Sequence, residues 1–186
     1  MKLINIIVFL LISFNIGLKA NSNNQLDEIL KEGGKLIFIR HAYAPGGGDP
    51  DNFEIQNCAT QRNLNKEGIA QSKYLGKLLL KSNIEPYKAL SSEWCRCKQT
   101  TENAFKNYET KNFLNSFFSQ KFANNKSKQI KELKDYIQNW NGKNNLILVT
   151  HKVVIFEILN LSVSSGEIIV TDKNLNILAR QTTNKK

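Results

Sequence analysis

The chain has 186 residues and a formal net charge of +10, from 26 Lys and Arg residues against 16 Asp and Glu residues. This length suffices for one compact domain with its own core, and the sequence shows no internal repeat and no second domain. The excess of basic residues favours anionic partners such as phosphates. The lysines are scattered and form no long run of like charge, so nucleic acid is not an expected partner.

The first 20 residues have the pattern of a secretory signal peptide. Lys2 precedes an apolar run at 3–18, and Ala20 offers a small residue for cleavage. The run is shorter than the roughly 20 residues that a membrane-spanning helix needs. We therefore expect cleavage, no stable membrane span afterwards, and a periplasmic or secreted protein; a retained anchor is the alternative. Residues 21–34 are expected to form a leader with a short helix, and residues 35–186 the folded domain.

Hydrophobic periodicity predicts alternating strands and helices in that domain. Near-continuous apolar runs indicate buried strands, and the strands are predicted at 35–40, 87–92 and 145–150. Helices are predicted at 26–31, 65–81, 96–108, 126–140 and 152–160. A β-hairpin is predicted to follow at 167–171 and 176–180. This order predicts an α/β three-layer sandwich, in which a mostly parallel sheet has helices on both faces and ends in a C-terminal β-hairpin.

Both histidines of the chain directly follow predicted strands. Arg40 and His41 end the strand "KLIFIR", and His151 follows "NLILVT". Arg62 lies just before a helix and Arg96 just after another strand. In open α/β sheets ligands bind beyond the carboxyl ends of the strands, so these cationic groups are expected to converge at one edge of the sheet. Such a cluster needs an anion, and phosphate makes the best use of several guanidinium groups.

This combination of groups supports phosphoryl transfer without a metal ion. A neutral, oriented imidazole can attack phosphorus in line, while arginines neutralise the charge on the other oxygens. The spacing of Cys95 and Cys97 is a poor zinc pattern, because no second pair of ligands follows. The loop at 42–63 contains three glycines, but it lacks the Lys-Ser/Thr ending of a nucleotide phosphate loop. No metal and no other cofactor is expected.

Four segments, in order, resemble the signature segments of the histidine phosphatase superfamily, which has the phosphoglycerate-mutase-like fold. They are "FIRHA", "QRNLNKEGIAQ", "LSSEWCRCKQTTENA" and "LILVTHKVVI". The resemblance covers most of the mature chain. It implies that His41 is the nucleophile that becomes phosphorylated, and that Arg40, Arg62, Arg96 and His151 form the phosphate pocket.

The sequence departs from this family pattern at two motif positions. Ala42 replaces the usual glycine, which the backbone tolerates if its φ is negative. Lys152 follows the second histidine, where the acid-phosphatase and phytase branch has an aspartate as proton donor. The mutase-like branch instead uses a glutamate from a loop after the second arginine. Glu93, close to Arg96 in sequence, is the first candidate for this role, and the others are Asp49, Asp51 and Glu54. A substrate with a good leaving group would need no donor.

The resulting expectation is a metal-independent phosphatase that forms a phosphohistidine on a small phosphomonoester or an envelope sugar phosphate. Two alternatives stay open. One is a phosphohistidine protein phosphatase, which this chain resembles in size but whose usual substrates are cytoplasmic. The other is a non-catalytic module that binds a phosphorylated ligand. A mutase is disfavoured, because the chain is short of the insertions that cover mutase sites.

The cysteines predict a disulfide at the rim of the pocket. Cys58 lies four residues before Arg62, while Cys95 and Cys97 flank Arg96. If both arginines bind one phosphate, these segments lie close together, so Cys58 can pair with either Cys95 or Cys97. An extended backbone would point Cys95 and Cys97 to the same side. The unpaired cysteine is expected to be a free or buried thiol. An exported chain permits the bond, and three reduced cysteines are the alternative.

Overall fold

A computed structural model of the chain describes residues 22–81, 84 and 87–183. The predicted signal peptide lies outside these residues. The helices, in chain order, are α1 (Ser22–Lys31), α2 (Lys66–Lys81), α3 (Cys95–Ala104), α4 (Gln120–Ala123), α5 (Lys126–Asn139) and α6 (Lys152–Leu159). The strands are β1 (Leu36–Arg40), β2 (Tyr87–Ser91), β3 (Glu109–Thr110), β4 (Asn145–Thr150), β5 (Ile168–Thr171) and β6 (Ile177–Gln181).

One six-stranded sheet, in the order β3-β2-β4-β1-β5-β6, runs through the molecule. Strands β3, β2, β4 and β1 are parallel, whereas β5 is antiparallel to both β1 and β6. The α/β fold with its C-terminal hairpin is therefore confirmed, and the expectation of a mostly parallel sheet is supported in part, since three of the five strand pairings are parallel and two are antiparallel. A short hairpin joins β5 to β6, and a connection this short allows only antiparallel pairing.

The two central strands separate two apolar layers. Side chains alternate along β1, so Ile37 and Ile39 pack on one face while Leu36 and Phe38 pack on the other. Helices α1, α2 and α3 contribute to the first layer, and α5 and α6 contribute to the second. Each fully buried aliphatic side chain contributes about 1.5–3 kcal/mol. This arrangement is the three-layer sandwich that the continuous apolar strands predict.

Two predicted element bounds differ from the structure. Helix α3 ends at Ala104 instead of Tyr108, because Phe105 turns to extended backbone and its ring, which is 3% exposed, packs against Tyr87. The chain then adds the short edge strand β3, which no sequence pattern indicates. Among the helices that the structure describes, none is long and apolar enough to span a membrane.

Close packing fixes the loop that follows β1. A Cβ atom at Gly68 in α2 would lie 2.0 Å from the backbone oxygen of Tyr43, so a side chain there would push the loop away. Gln71 accepts a hydrogen bond from the Tyr43 amide at 2.8 Å, and Thr100 accepts one from the Ala42 amide at 2.9 Å. The motif residues of α2 and α3 thus position the loop that begins at His41. Ala42 does not have positive φ, so alanine fits where the family has glycine.

Candidate active site

The ends of β1 and β4 bring the two histidines together. The rings of His41 and His151 have their centroids 5.5 Å apart at an interplanar angle of 63°, and each residue is only 3% exposed. The backbone amide of His41 donates to the carbonyl of Thr150 at 2.9 Å, which links the two strand ends directly. The sheet register thus positions both imidazoles in one buried site.

The hydrogen bonds of His41 determine which of its nitrogens carries the proton. Nδ1 lies 2.8 Å from the backbone oxygen of Ala42, and a carbonyl oxygen only accepts, so Nδ1 carries the hydrogen. Nε2 bonds to no residue that the structure describes and keeps its lone pair. Burial, and then the charge of Arg96, hold the pKa of His41 well below 6.5. His41 is therefore a neutral imidazole with a free nucleophilic nitrogen at neutral pH.

His151 is held by a polar network from the end of β2. Its Nε2 lies 2.9 Å from the Ser92 hydroxyl and 3.5 Å from the Cys97 sulfur. The Ser92 hydroxyl donates to Oδ1 of Asn115 at 3.0 Å, so its oxygen accepts the Nε2–H of His151. Burial and the Arg96 charge lower the pKa of His151 well below 6.5. To donate to a phosphate, as the family resemblance implies, this N–H would have to exchange its bond with Ser92.

Three guanidinium groups are close enough to perturb both histidines. Nη1 of Arg40 donates to the Val163 carbonyl at 2.9 Å, and Nε of Arg62 donates to the Gly48 carbonyl at 2.9 Å. Burial and repulsion from Arg96 lower the pKa of both Arg40 and Arg62. Within the described part of the chain, the buried Nε groups of Arg40 and Arg96 have no hydrogen-bond partner. These unpaired donors and uncompensated charges are what a phosphate dianion would satisfy.

Asp49 is the anion that already contacts this cluster. Its Oδ1 accepts from Nη1 of Arg96 at 2.7 Å and from the Arg62 amide at 3.2 Å, while Oδ2 accepts from the indole of Trp94 at 3.0 Å. Burial alone would raise the pKa of Asp49, but the hydrogen bond and charge of Arg96 outweigh it and lower the pKa. An ionised carboxylate is a poor proton donor, so Asp49 acts here as the counter-ion of Arg96.

Of the other three candidate proton donors, Glu93 is the one that hydrogen bonds connect to His151 within the described residues. Oε2 of Glu93 accepts from Asn115 at 2.6 Å, which places this carboxylate on the hydrogen-bonded chain that leads through Ser92 to His151. Asp51 and Glu54 are exposed. Asn115 was not among the predicted site residues, because it lies in an aromatic segment without a polar motif. Nothing in the sequence signals that this amide would reach the end of β2.

Cys58 and Cys95 form a disulfide with a Cα separation of 5.7 Å, and Cys97 is a free, buried thiol. The bond ties the 42–63 loop to the start of α3. The segment that carries Cys95 and Cys97 is helical rather than extended, so residues two apart point in different directions. Cys95 therefore contacts the loop while Cys97 contacts His151. Burial raises the pKa of Cys97 to about 12, so this thiol stays protonated.

The sheet order, the strand-end histidines and the surrounding arginines together define the histidine phosphatase fold. The chain is similar to the protein histidine phosphatase SixA in complex with tungstate, with 14% identity over 80% of this chain and 97% of that chain and a TM-score of 0.57. It is also similar to the α-ribazole phosphatase of Shigella flexneri, with 15% identity over 78% of this chain and 93% of that chain and a TM-score of 0.54. A third similar structure is the mycobacterial glucosyl-3-phosphoglycerate phosphatase Rv2419c in complex with VO3, with 12% identity over 73% and 91% of the two chains and a TM-score of 0.53. No protein-family model matches the sequence, and no curated protein does.

Proposed function

We propose that the protein is a phosphomonoesterase that works through a phosphohistidine on His41. The observation that carries this proposal is the state of the His41 imidazole. Its Nδ1–H is held by the Ala42 carbonyl, and its neutral Nε2 is unbonded beside three guanidinium groups. A structural histidine of such a cluster would be expected to use both nitrogens in hydrogen bonds, whereas a nucleophile needs one free lone pair.

The proposed reaction has two displacements at phosphorus. In the first, Nε2 of His41 forms a bond to phosphorus, the P–O ester bond breaks, and the departing oxygen takes up a proton. In the second, water attacks phosphorus, the N–P bond breaks, and the water proton is released. Arg40, Arg62 and Arg96 neutralise the phosphoryl oxygens in both steps. Glu93 is the proposed source of the proton for poor leaving groups.

A small phosphorylated molecule is the proposed substrate. The similar structures include two phosphatases named for small phosphorylated molecules, which supports this class without selecting one member. A phosphohistidine protein phosphatase is the second candidate, and the likeness to SixA supports it. We also propose that the protein is periplasmic or secreted. The signal-peptide pattern and the Cys58–Cys95 disulfide support export, because structural disulfides persist in oxidising compartments.

The direct test is turnover of p-nitrophenyl phosphate by the wild-type protein and by His41→Ala. We expect His41→Ala to lose turnover and also to lose acid-labile labelling by a radioactive phosphoryl donor. Lys128→Ala, on the exposed face of α5, is the matched control and should keep both. Comparable turnover by His41→Ala would show that the nucleophile is wrongly assigned. Binding of phosphate without any turnover by the wild-type protein would indicate a non-catalytic binding module.

A further inference from the structure

A cavity of about 310 Å³ lies beside the candidate active site. Its walls come from the 42–63 loop, the start of α3 and the segment from Asn115 to Gln129. This volume is at the lower end of the range for small-molecule sites, about 300–1,000 Å³. The phosphoryl chemistry proposed above does not use this cavity.

Three aromatic rings pack together in the cavity wall. Trp94 stacks on Phe53 with ring centroids 5.0 Å apart and an interplanar angle of 27°. Phe122 meets Trp94 edge-on at 5.3 Å and 78°, and meets Phe53 at 5.5 Å and 75°. Phe53 and Trp94 are 7% and 2% exposed, so their orientation is fixed by packing. Phe122 is only half-buried, so it is the ring of this wall that another planar ring can reach.

The cavity shares two wall residues with the candidate active site. The ring centroid of Trp94 lies 5.5 Å from that of His151, and its indole N–H donates to Asp49, the counter-ion of Arg96. Asn115 also lines the cavity, and it accepts the hydrogen bond from Ser92, which contacts His151. The cavity and the candidate active site therefore adjoin each other through these two residues.

One polar side chain of the cavity wall has an oxygen without a hydrogen-bond partner among the described residues. Gln129 is 7% exposed, and its Nε2 donates to the Asn112 carbonyl at 2.6 Å. Its buried Oε1 accepts no hydrogen bond from any residue that the structure describes. A ligand with an N–H or O–H donor would satisfy this oxygen. Lys121 lies at the exposed side of the cavity, which disfavours a cationic ligand.

From these contacts we propose that the cavity binds the leaving group of the substrate, and that this group is a neutral or anionic aromatic ring with an N–H or O–H donor. The proposal rests on the phosphomonoesterase function above and specifies its substrate class. Stacking on the aromatic wall selects the ring, and Gln129 selects the donor. An aliphatic sugar phosphate has hydroxyl donors for Gln129 but would leave the aromatic wall unused.

Matched substrates test the ring preference. Adenosine 5′-monophosphate and ribose 5-phosphate carry the same phosphorylated sugar carbon, and only the first has a base. We expect kcat/KM to be about tenfold higher for adenosine monophosphate. Phe122→Leu should remove most of that preference. Phe118→Leu, at a side chain that is 72% exposed and outside the cavity, should leave both rates unchanged.

Gln129→Met tests the donor. This substitution keeps the length of the side chain and removes its acceptor, together with the donor that bonds to the Asn112 carbonyl. Purine riboside 5′-monophosphate lacks the exocyclic amino group of adenosine monophosphate. In the wild-type protein, kcat/KM should be about tenfold higher for adenosine monophosphate than for this analogue. In Gln129→Met the two should become equal. Equal kcat/KM values of the wild-type protein for ribose 5-phosphate and adenosine monophosphate would overturn the proposed substrate class. The phosphatase function would remain in place.

Calorimetry with His41→Ala separates this inference from the proposed function. If the wild-type protein turns over neither these compounds nor p-nitrophenyl phosphate, the proposed function fails, but binding can still be measured. Tighter binding of adenosine monophosphate than of ribose 5-phosphate, lost in Phe122→Leu, would support the cavity as an aromatic site. Equal affinities would overturn it.

Discussion

Replacing Asp49 with asparagine should lower the free energy of unfolding of the ligand-free protein and raise its affinity for phosphate. Asp49 is the only carboxylate among the described residues that pairs with Arg96, whose side chain is 4% exposed. It also accepts hydrogen bonds from the Trp94 indole and the Arg62 amide. The substitution keeps the shape of the side chain, removes the negative charge and replaces one acceptor with a donor. Its effects on stability and on binding should therefore have opposite signs.

The two magnitudes follow from the burial of the pair. Breaking a buried ion pair costs about 3–5 kcal/mol. Because Asp49 is 16% exposed and asparagine retains one acceptor, we expect a loss of about 2–4 kcal/mol in the free energy of unfolding. The negative charge of Asp49 repels a bound phosphate. At a separation of about 6 Å and an effective dielectric constant of about 20, the repulsion between two unit charges is about 3 kcal/mol. Allowing for screening, the variant should bind phosphate at least about tenfold more tightly.

Chemical denaturation and phosphate titration by calorimetry measure both effects. Asp51→Asn is the control, since Asp51 is an exposed carboxylate on the same loop. The pKa of Asp49 is lowered in the folded state, so its stabilisation is present above 3.8 and is lost as the pH falls through the folded-state pKa. The stability difference between Asp49→Asn and the wild type should therefore shrink in acid. If Asp49→Asn were as stable as the wild type at neutral pH and bound phosphate no more tightly, the counter-ion role would be refuted.

Glu93→Gln should lower kcat about tenfold or more for an alkyl phosphate and much less for p-nitrophenyl phosphate; equal losses would exclude a proton-donor role. EDTA should leave turnover unchanged, and a loss restored by zinc or magnesium would refute the metal-free mechanism. Thiol titration of denatured, unreduced protein from an oxidising compartment should find one thiol rather than three, and serines at Cys58 and Cys95 should cost about 2–4 kcal/mol of stability. The proposed nucleophile is the neutral form of His41, whose pKa burial lowers, so kcat/KM should stay level as the pH falls through 6.5 and decline only well below it; a half-maximal rate at pH 6.5 would contradict this.

The central framework of the fold could be predicted from the sequence alone. The apolar runs that form β1 and β4 are buried on both faces in the structure, and α2 ends at Lys81 as its periodicity predicts. These features depend on local patterns of polarity, which are visible directly in the sequence. The positions of His41 and His151 at strand ends follow from the same patterns. Their convergence then follows from a general property of parallel strands, whose carboxyl ends meet at one edge.

The positions of β3 and β5 in the sheet could not be predicted in the same way. β5 lies antiparallel beside β1, and β3 is an edge strand of two residues. Strand order and direction depend on which backbone groups remain unpaired once the sheet has assembled. The early end of α3 likewise depends on the tertiary core, because Phe105 packs against Tyr87 on β2.

The details that make the site chemically specific depended on the tertiary structure. Asp49 was one of four candidate acids in the sequence, and only folding places it against Arg96, 47 residues away, where ionisation suits it to be a counter-ion. Cys95 rather than Cys97 pairs with Cys58, because a helix turns the two cysteines in different directions. The protonated nitrogen of His41 depends on the position of one carbonyl oxygen. Residue types and strand ends are local properties of the chain, whereas charge pairing, tautomers and cavity walls depend on which distant atoms come within a few ångströms.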